Sequence, residues 1–198
     1  MQLLLLAAVT AAGLHGCFLP LRFDVDATIT RTGYFDLKFD GDLAWLPLVR
    51  EIAEGSLDAD ERRAKIARIE TDLERDPATR TLRHVGDGVF RLQWRRSGDL
   101  LQARSVNFVR RSDRIFGIKY VESTGQVTLE GRAISANDAR RLRERGITST
   151  GSLKLRTDAR VVDHNAARVV PIGPRERIYV WTIASLFDPA AKLVIALH

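Results

Sequence analysis

Five aspartates near the N-terminus are the residues whose type and spacing first suggest chemistry. They alternate with apolar residues over two short segments and are Asp24, Asp26, Asp36, Asp40 and Asp42. Paired carboxylates supply the acid and base of many hydrolases and the ligands of divalent cations. The same alternation places solvated carboxylates on the polar face of a strand. A hydrolytic site is therefore one interpretation of this set, and an ordinary polar sheet face is the favoured one.

Other patterns of catalytic or metal-binding residues are missing from the sequence. His84, His164 and His198 are far apart in the chain, with no cysteine or carboxylate cluster at ligand spacing. No G-x-S-x-G nucleophile elbow and no G-x-x-x-x-G-K-[ST] phosphate loop occurs. We therefore expect no metal site, no cofactor and no enzymatic activity.

Cys17 is the only cysteine in the chain, and it follows an apolar N-terminal segment. That segment covers roughly a dozen residues, whereas a helix needs about 20 to cross a bilayer. The length is typical of the apolar region of a cleavable export signal. A lone exposed thiol is a liability in an oxidising compartment, but an acylated thiol is inert. The pattern favours an exported protein with a modified Cys17.

The four residues Leu14-His15-Gly16-Cys17 resemble the bacterial lipobox. That resemblance implies signal cleavage between Gly16 and Cys17 and attachment of diacylglycerol to the Cys17 sulfur. We therefore expect residues 1–16 to be a lipoprotein-type signal peptide and residues 17–198 to be a single extracytoplasmic domain. The domain would be lipid-anchored at the bacterial cell envelope, on the periplasmic side or the cell surface. An ordinary secretory signal with an incidental cysteine is the alternative.

Strand patterns dominate the remainder of the chain, which has the composition of a folded protein, 45% hydrophobic and 28% charged. Apolar and polar residues alternate over residues 22–30 and 34–40, with a turn at Thr32-Gly33 between them, which predicts a hairpin. Further strands are predicted over residues 81–85, 89–96, 104–110, 115–122, 126–133, 152–162, 178–184 and 193–197.

Helices are predicted in three places. One starts near Pro47, and a second starts at Asp58, where Glu61 completes a capping box. A third, short helix runs from Ser135 to Arg145. Strands with inserted helices and no βαβ alternation predict an α+β fold. We expect a twisted, mainly antiparallel sheet with two to three helices packed on one face.

Charge is unevenly distributed along the chain, which carries a formal net charge of +6. Residues 91–156 hold 15 basic and 6 acidic side chains, a balance of +9. Such segments can bind nucleic acid, but an exported protein rarely meets it and no binding motif is present. For a tethered domain the expected counter-surface is anionic lipid headgroups, and the alternative is a merely solubilising surface. The residues expected to contact such a surface are Arg95, Arg96, Arg110, Arg111, Arg114, Arg140, Arg141 and Arg143.

A series of short motifs in the C-terminal third follows one order: Gly151-x-Leu153-x-Leu155, Asp163-His164-Asn165-Ala166, a break with proline and glycine, Val180-Trp181-Thr182-Ile183, and a final apolar strand. With the N-terminal signal, this series resembles the LppM-type lipoprotein domain family. The resemblance implies an α+β envelope domain without known catalytic residues. We therefore expect a non-catalytic lipoprotein that binds an envelope lipid, between helix stripe and sheet, or a protein partner. An envelope hydrolase that uses the first hairpin is the alternative.

Overall fold

Two β-sheets packed face to face make up most of the structure, a computed structural model that describes residues 18–110 and 113–197. The strands in these residues are Phe18–Ile29 (β1), Tyr34–Trp45 (β2), Thr79–Gly86 (β3), Val89–Asp99 (β4), Ser105–Arg110 (β5), Asp113–Val121 (β6), Gln126–Gly131 (β7), Thr150–Thr157 (β8), Arg160–His164 (β9), Arg168–Pro171 (β10), Arg177–Ile183 (β11) and Lys192–Ala196 (β12). The helices are Leu46–Ala53 (α1), Ala59–Glu74 (α2), Leu100–Ala103 (α3) and Ala136–Glu144 (α4).

The first sheet has seven strands in the order β10-β11-β8-β1-β2-β4-β3. β1 and β2 form the predicted hairpin, and β1 lies at the centre of the sheet. Its other neighbour is β8, which runs parallel to it, whereas the remaining pairs are antiparallel. The apolar residues of these strands point to one face and the charged residues to the other, as the period of two requires.

The second sheet has five strands in the order β5-β6-β7-β12-β9, and it covers the apolar face of the first. Aromatic rings interlock between the two sheets. The Phe108 ring of β5 lies 4.4 Å from the ring of Phe39 in β2 and 5.1 Å from that of Trp94 in β4. Phe116 of β6 stacks on Phe108 with ring centroids 5.0 Å apart. The core is therefore formed between two sheets.

The expected α+β fold, with helices covering one face of a single sheet, is wrong. Five of the strands after Arg104, namely β5, β6, β7, β9 and β12, form a second sheet, and that sheet takes the position that the helices were expected to occupy. Alternation shows that a strand has one apolar face, but it does not show whether a helix or another sheet buries that face. The expectation of mainly antiparallel pairing is confirmed.

The helices lie at the margins of the sandwich. α2 begins at its capping box, where the Asp58 carboxylate accepts from the backbone of Glu61 at 2.8 Å, as the sequence predicts. It places Ile69 and Leu73 in the core beside β3 and leaves its other side charged. α4 follows its predicted cap, Ser135. None of the helices in the described residues is long and apolar enough to cross a membrane.

Candidate functional site

Phe18, which directly follows Cys17 in the sequence, is held firmly in the fold. Its backbone N–H donates to the Asp113 carboxylate at 2.9 Å, and its carbonyl oxygen accepts from the Arg132 guanidinium. Arg132 in turn pairs with Asp113 at 3.1 Å. The Phe18 side chain is fully buried and packs edge-on against Trp45, with ring centroids 4.5 Å apart. The chain is therefore part of the packed structure from the first described residue onward.

Gly16 and Cys17, the predicted cleavage and lipid-attachment residues, lie outside the described residues. Their roles stay predictions. The structure does establish what surrounds the next residue, because Asp113 and Arg132 reach Phe18 from β6 and from the segment after β7.

A groove of about 570 Å³ lies next to Phe18. We call it the α2 groove, and its lining residues are Trp45, Ala67, Arg68, Ile69, Thr71, Asp72, Arg75 and Arg110. The Arg110 guanidinium pairs with Asp72 and lies 5.6 Å from the centre of the Phe18 ring. Three arginines against one aspartate make the groove positively charged.

The helical repeat explains why these side chains line one surface. Arg68, Asp72 and Arg75 are spaced by four and three residues, which places them on one side of α2. Ile69 and Leu73 point into the core and anchor the helix. The sequence predicts the apolar stripe of this helix, whereas the meeting of its charged side with Trp45 and Arg110 depends on the tertiary fold.

The arginines expected to contact an anionic surface lie on three parts of the molecule. Arg95 and Arg96 lie in β4, Arg110 and Arg114 in β5 and β6, and Arg140, Arg141 and Arg143 on α4. Arg111 lies outside the described residues. Their contact with an anionic surface stays a prediction, and the fold brings only Arg110 of this set into the α2 groove.

Several of these arginines already have partners within the protein. Arg95 donates two hydrogen bonds to the Asp36 carboxylate, at 2.9 and 3.0 Å. Hydrogen bonding to Asp36 and the negative charge of Asp36 raise the pKa of the Arg95 guanidinium above its ordinary value. Arg140 donates to Asn137, and Arg143 lies 5.0 Å from the exposed Phe187 ring. Arg95 in particular is engaged by a carboxylate.

The five aspartates of the first hairpin lie on the outer face of the seven-stranded sheet, where cations alternate with them. Asp42 is nearly buried and accepts from Arg22 at 2.8 and 3.1 Å, with Arg91 at 3.5 Å. Asp40 accepts from Arg91 and from Gln93, Asp36 accepts from Arg95, and Asp24 accepts from Ser152. Asp26 lies between Lys38 and Lys154 in register. The set is a ladder of cross-strand charges, and among the residues the structure describes no group of three or more His, Cys, Asp or Glu side chains could hold a metal ion.

We expect Asp42→Ala to lower the free energy of unfolding by about 1–2 kcal/mol, because charge-assisted bonds to a buried carboxylate are lost. Asp24→Ala is the matched control, since Asp24 is exposed and its loss should change stability by no more than about 0.5 kcal/mol. Chemical denaturation of both variants measures the difference. Equal effects of the two substitutions would contradict the structural role given to Asp42.

The space between the sheets offers little room for a ligand. A cavity of about 100 Å³ opens beside Phe23, Leu153 and the loop at residues 185–191. Ligand pockets usually measure about 300–1,000 Å³, and the remaining interior is filled by the aromatic cluster around Phe108. A lipid between a helix stripe and a sheet, as the sequence suggested, has no such space in the described residues, because a second sheet lies there.

Sequence reasoning missed the residues that fix Phe18 and that line the groove beside it. Asp113 and Arg132 lie 95 and 114 residues from Phe18 in the chain. Nothing in their local sequence distinguishes them from surface charges. Trp45 had one available signal, since it directly precedes the helix-starting segment Leu46-Pro47, but its contact with Phe18 follows only from the hairpin register.

The class that the fold defines is a two-sheet β-protein with a charged groove beside its N-terminal strand. No family model matches the chain, and no curated protein matches it in sequence. Among solved structures, the chain is similar to the folded domain of LppM from Mycobacterium tuberculosis, determined by NMR. The identity is 15%, the match covers 89% of this chain and 88% of that one, and the TM-score is 0.40. This is a loose resemblance in fold.

Proposed function

We propose that this protein is a non-catalytic lipoprotein domain of the bacterial cell envelope, held at the membrane by acyl chains on Cys17. The observation that carries the proposal is the placement of Phe18. Adjacent Cα atoms are about 3.8 Å apart, so an acylated Cys17 leaves no linker between the lipid and the residue that Asp113 and Arg132 hold. An anchor at this position would press one particular surface of the domain against the membrane.

The domain would bind its envelope partner, a lipid or a protein, at its outer surface. Two observations support this location. The space between the sheets is filled by side chains, with a cavity of only about 100 Å³ beside it. The surface next to Phe18, by contrast, carries an open groove with three arginines. Several acyl chains on one residue would give stable anchoring, which a single chain does not.

The absence of catalysis is part of the proposal and has a physical argument. Asp36 and Asp40, the carboxylates of the alternative hydrolase, accept hydrogen bonds from Arg95 and Arg91. A general acid or base must be within hydrogen-bond reach of the substrate, whereas these two carboxylates are engaged by guanidinium groups of the neighbouring strand. A broad hydrolase screen with wild type and Asp36→Asn tests this, and an activity lost in the variant would overturn the non-catalytic assignment.

The experiment that tests the anchor is mass spectrometry of the N-terminal peptide after extraction of the full chain from bacterial membranes. We expect the peptide to begin at Cys17 and to carry acyl chains, and the protein to enter a detergent phase. Cys17→Ala should abolish both the acyl mass and the processing. The folded domain of this variant should keep its near-ultraviolet circular dichroism. A wild-type protein in the aqueous phase with Met1 retained would contradict the proposal.

A further inference from the structure

We propose that the α2 groove binds the phosphate of an anionic phospholipid headgroup in the membrane to which the protein is anchored. This inference rests on the proposed function and adds the residues of contact. The guanidinium groups of Arg68, Arg75 and Arg110 form the binding surface, and Trp45 lies at its edge.

The position of the groove is the first argument. Trp45 contacts the Phe18 ring at 4.5 Å, and Arg110 lies 5.6 Å above it. Both residues also line the groove. Cys17 is one peptide bond away from Phe18, so acyl chains on Cys17 would bring the headgroups of the same leaflet to this surface.

The charge of the groove is the second argument. Arg110 is paired with Asp72, but among the described residues no carboxylate lies within ion-pair distance of Arg68 or Arg75. Both side chains belong to exposed residues on one side of α2. Guanidinium groups bind phosphate through two parallel N–H bonds, and they are weakly hydrated, so they lose little on leaving water.

Trp45 is the third argument, because its half-buried ring lies where the groove meets Phe18. Tryptophan prefers the headgroup level of a bilayer, where its apolar ring and its N–H are both accommodated. A groove with arginines and a partly exposed indole therefore matches a phospholipid surface in both charge and polarity.

The opposite end of β1 provides the comparison. Arg175 and Arg177 lie near Ile29, at the far end of the strand from Phe18, and both are exposed. Eleven residues of extended strand separate the two ends by roughly 36 Å. An anchor at Cys17 would hold these two arginines away from the membrane while it brings Arg68 and Arg75 close to it.

The test uses the full chain, extracted from membranes and reconstituted in vesicles of phosphatidylcholine alone or with added phosphatidylglycerol. Some lipids carry bromine, which quenches nearby tryptophan fluorescence. Trp94 and Trp181 are buried, and a Trp45→Phe variant measures their background. We expect stronger quenching of Trp45 in the vesicles that contain phosphatidylglycerol, and we expect high salt to remove the difference.

The double variant Arg68→Gln with Arg75→Gln should lower the ratio of membrane-bound to unbound grooves by roughly 30-fold. The reason is that each arginine near an anionic surface contributes about 1 kcal/mol. The extra quenching should then disappear. Arg175→Gln with Arg177→Gln removes the same charge and should leave it unchanged. The single variant Arg68→Gln, away from the helix end, should lower the ratio by about 5-fold.

Equal quenching in both vesicle types would overturn the inference, and so would equal effects of the two double variants. A third result would also overturn it. If Arg68→Gln with Arg75→Gln lowers the stability of the protein without changing the quenching, these arginines stabilise the helix and do not bind lipid. The proposed function has a separate outcome. Acyl chains on Cys17 together with unchanged quenching would refute the groove alone, whereas an unmodified Cys17 would refute the anchor.

Discussion

Replacement of Phe39 by alanine is expected to lower the free energy of unfolding by about 3–5 kcal/mol, the usual cost of removing a large buried ring. Phe39 is 2% exposed and contacts Phe108 across the sheets at a centroid distance of 4.4 Å. The substitution would leave a cavity where the two sheets meet, between β2 and β5. For a domain of this size each kcal/mol shifts Tm by about 2–4 °C, so Tm should fall by roughly 6–20 °C.

Phe187→Ala provides the matched control for this substitution. Its side chain belongs to a residue that is 45% exposed, in the loop after β11. We expect a loss of no more than about 1 kcal/mol, because the ring is exposed and its contact with Arg143 is a cation–π pair at the surface. Thermal and chemical denaturation of both variants measures the contrast. Similar losses in the two variants would contradict the assignment of the core to the interface between the sheets.

Replacement of Asn165 by alanine is expected to cost about 1–2 kcal/mol, because three hydrogen bonds are lost and the indole N–H of the buried residue Trp181 is left without its acceptor. The Asn165 side-chain oxygen accepts from the Trp181 indole at 2.7 Å and from the Lys192 backbone at 2.8 Å. Its side-chain nitrogen donates to the Ala190 carbonyl at 2.8 Å. Trp181 belongs to the first sheet and Lys192 to the second, so this one amide joins the two sheets.

Asn165→Asp separates the accepting role from the donating role. The carboxylate can still accept from Trp181 and Lys192, but it cannot donate to Ala190, so we expect a loss of about half that of the alanine variant. A double-mutant cycle with Trp181→Phe measures the indole bond alone. A loss below about 0.5 kcal/mol for Asn165→Ala would be within the range of surface substitutions and would contradict the joining role.

Local signals predicted the helices well. Asp58 with Glu61, and Ser135 with Asp138, are side-chain caps that act within a few residues, and both helices begin where those caps predict. The β1–β2 hairpin was predictable for a similar reason, because alternation and the turn at Gly33 act locally. What these signals do not contain is the partner of each apolar face, which is why the second sheet was missed.

The stretch from Ser152 to Val162 shows the same limit at one point in the chain. Alternation predicts a single strand there, but β8 ends at Thr157 and belongs to the first sheet, while β9 begins at Arg160 and belongs to the second. The corner holds no glycine or proline. It is stabilised by Asp158, which accepts from the backbone of Arg31 at 2.8 Å. That acceptor lies 127 residues from its donor, so no local pattern reveals it.

The candidate site was only partly within reach of sequence reasoning. Cys17 has a local signal, and the helical repeat places Arg68 and Arg75 on one side of α2. The meeting of α2 with Trp45 and Arg110 beside Phe18 requires the hairpin register and the packing of β5. Long-range contacts of this kind fix where the side chains of the groove lie, and no periodic pattern in the sequence predicts them.

The parallel pairing of β1 with β8 has a consequence for the order of events in folding. β1 is the first strand in the described residues and lies at the centre of its sheet, yet one of its two neighbours begins at Thr150. Contacts between residues so distant in sequence slow folding, because the intervening loop must close before they form. The edge of β1 that pairs with β8 stays unpaired until most of the polypeptide is available to fold. A chain truncated before β8 therefore cannot complete the seven-stranded sheet.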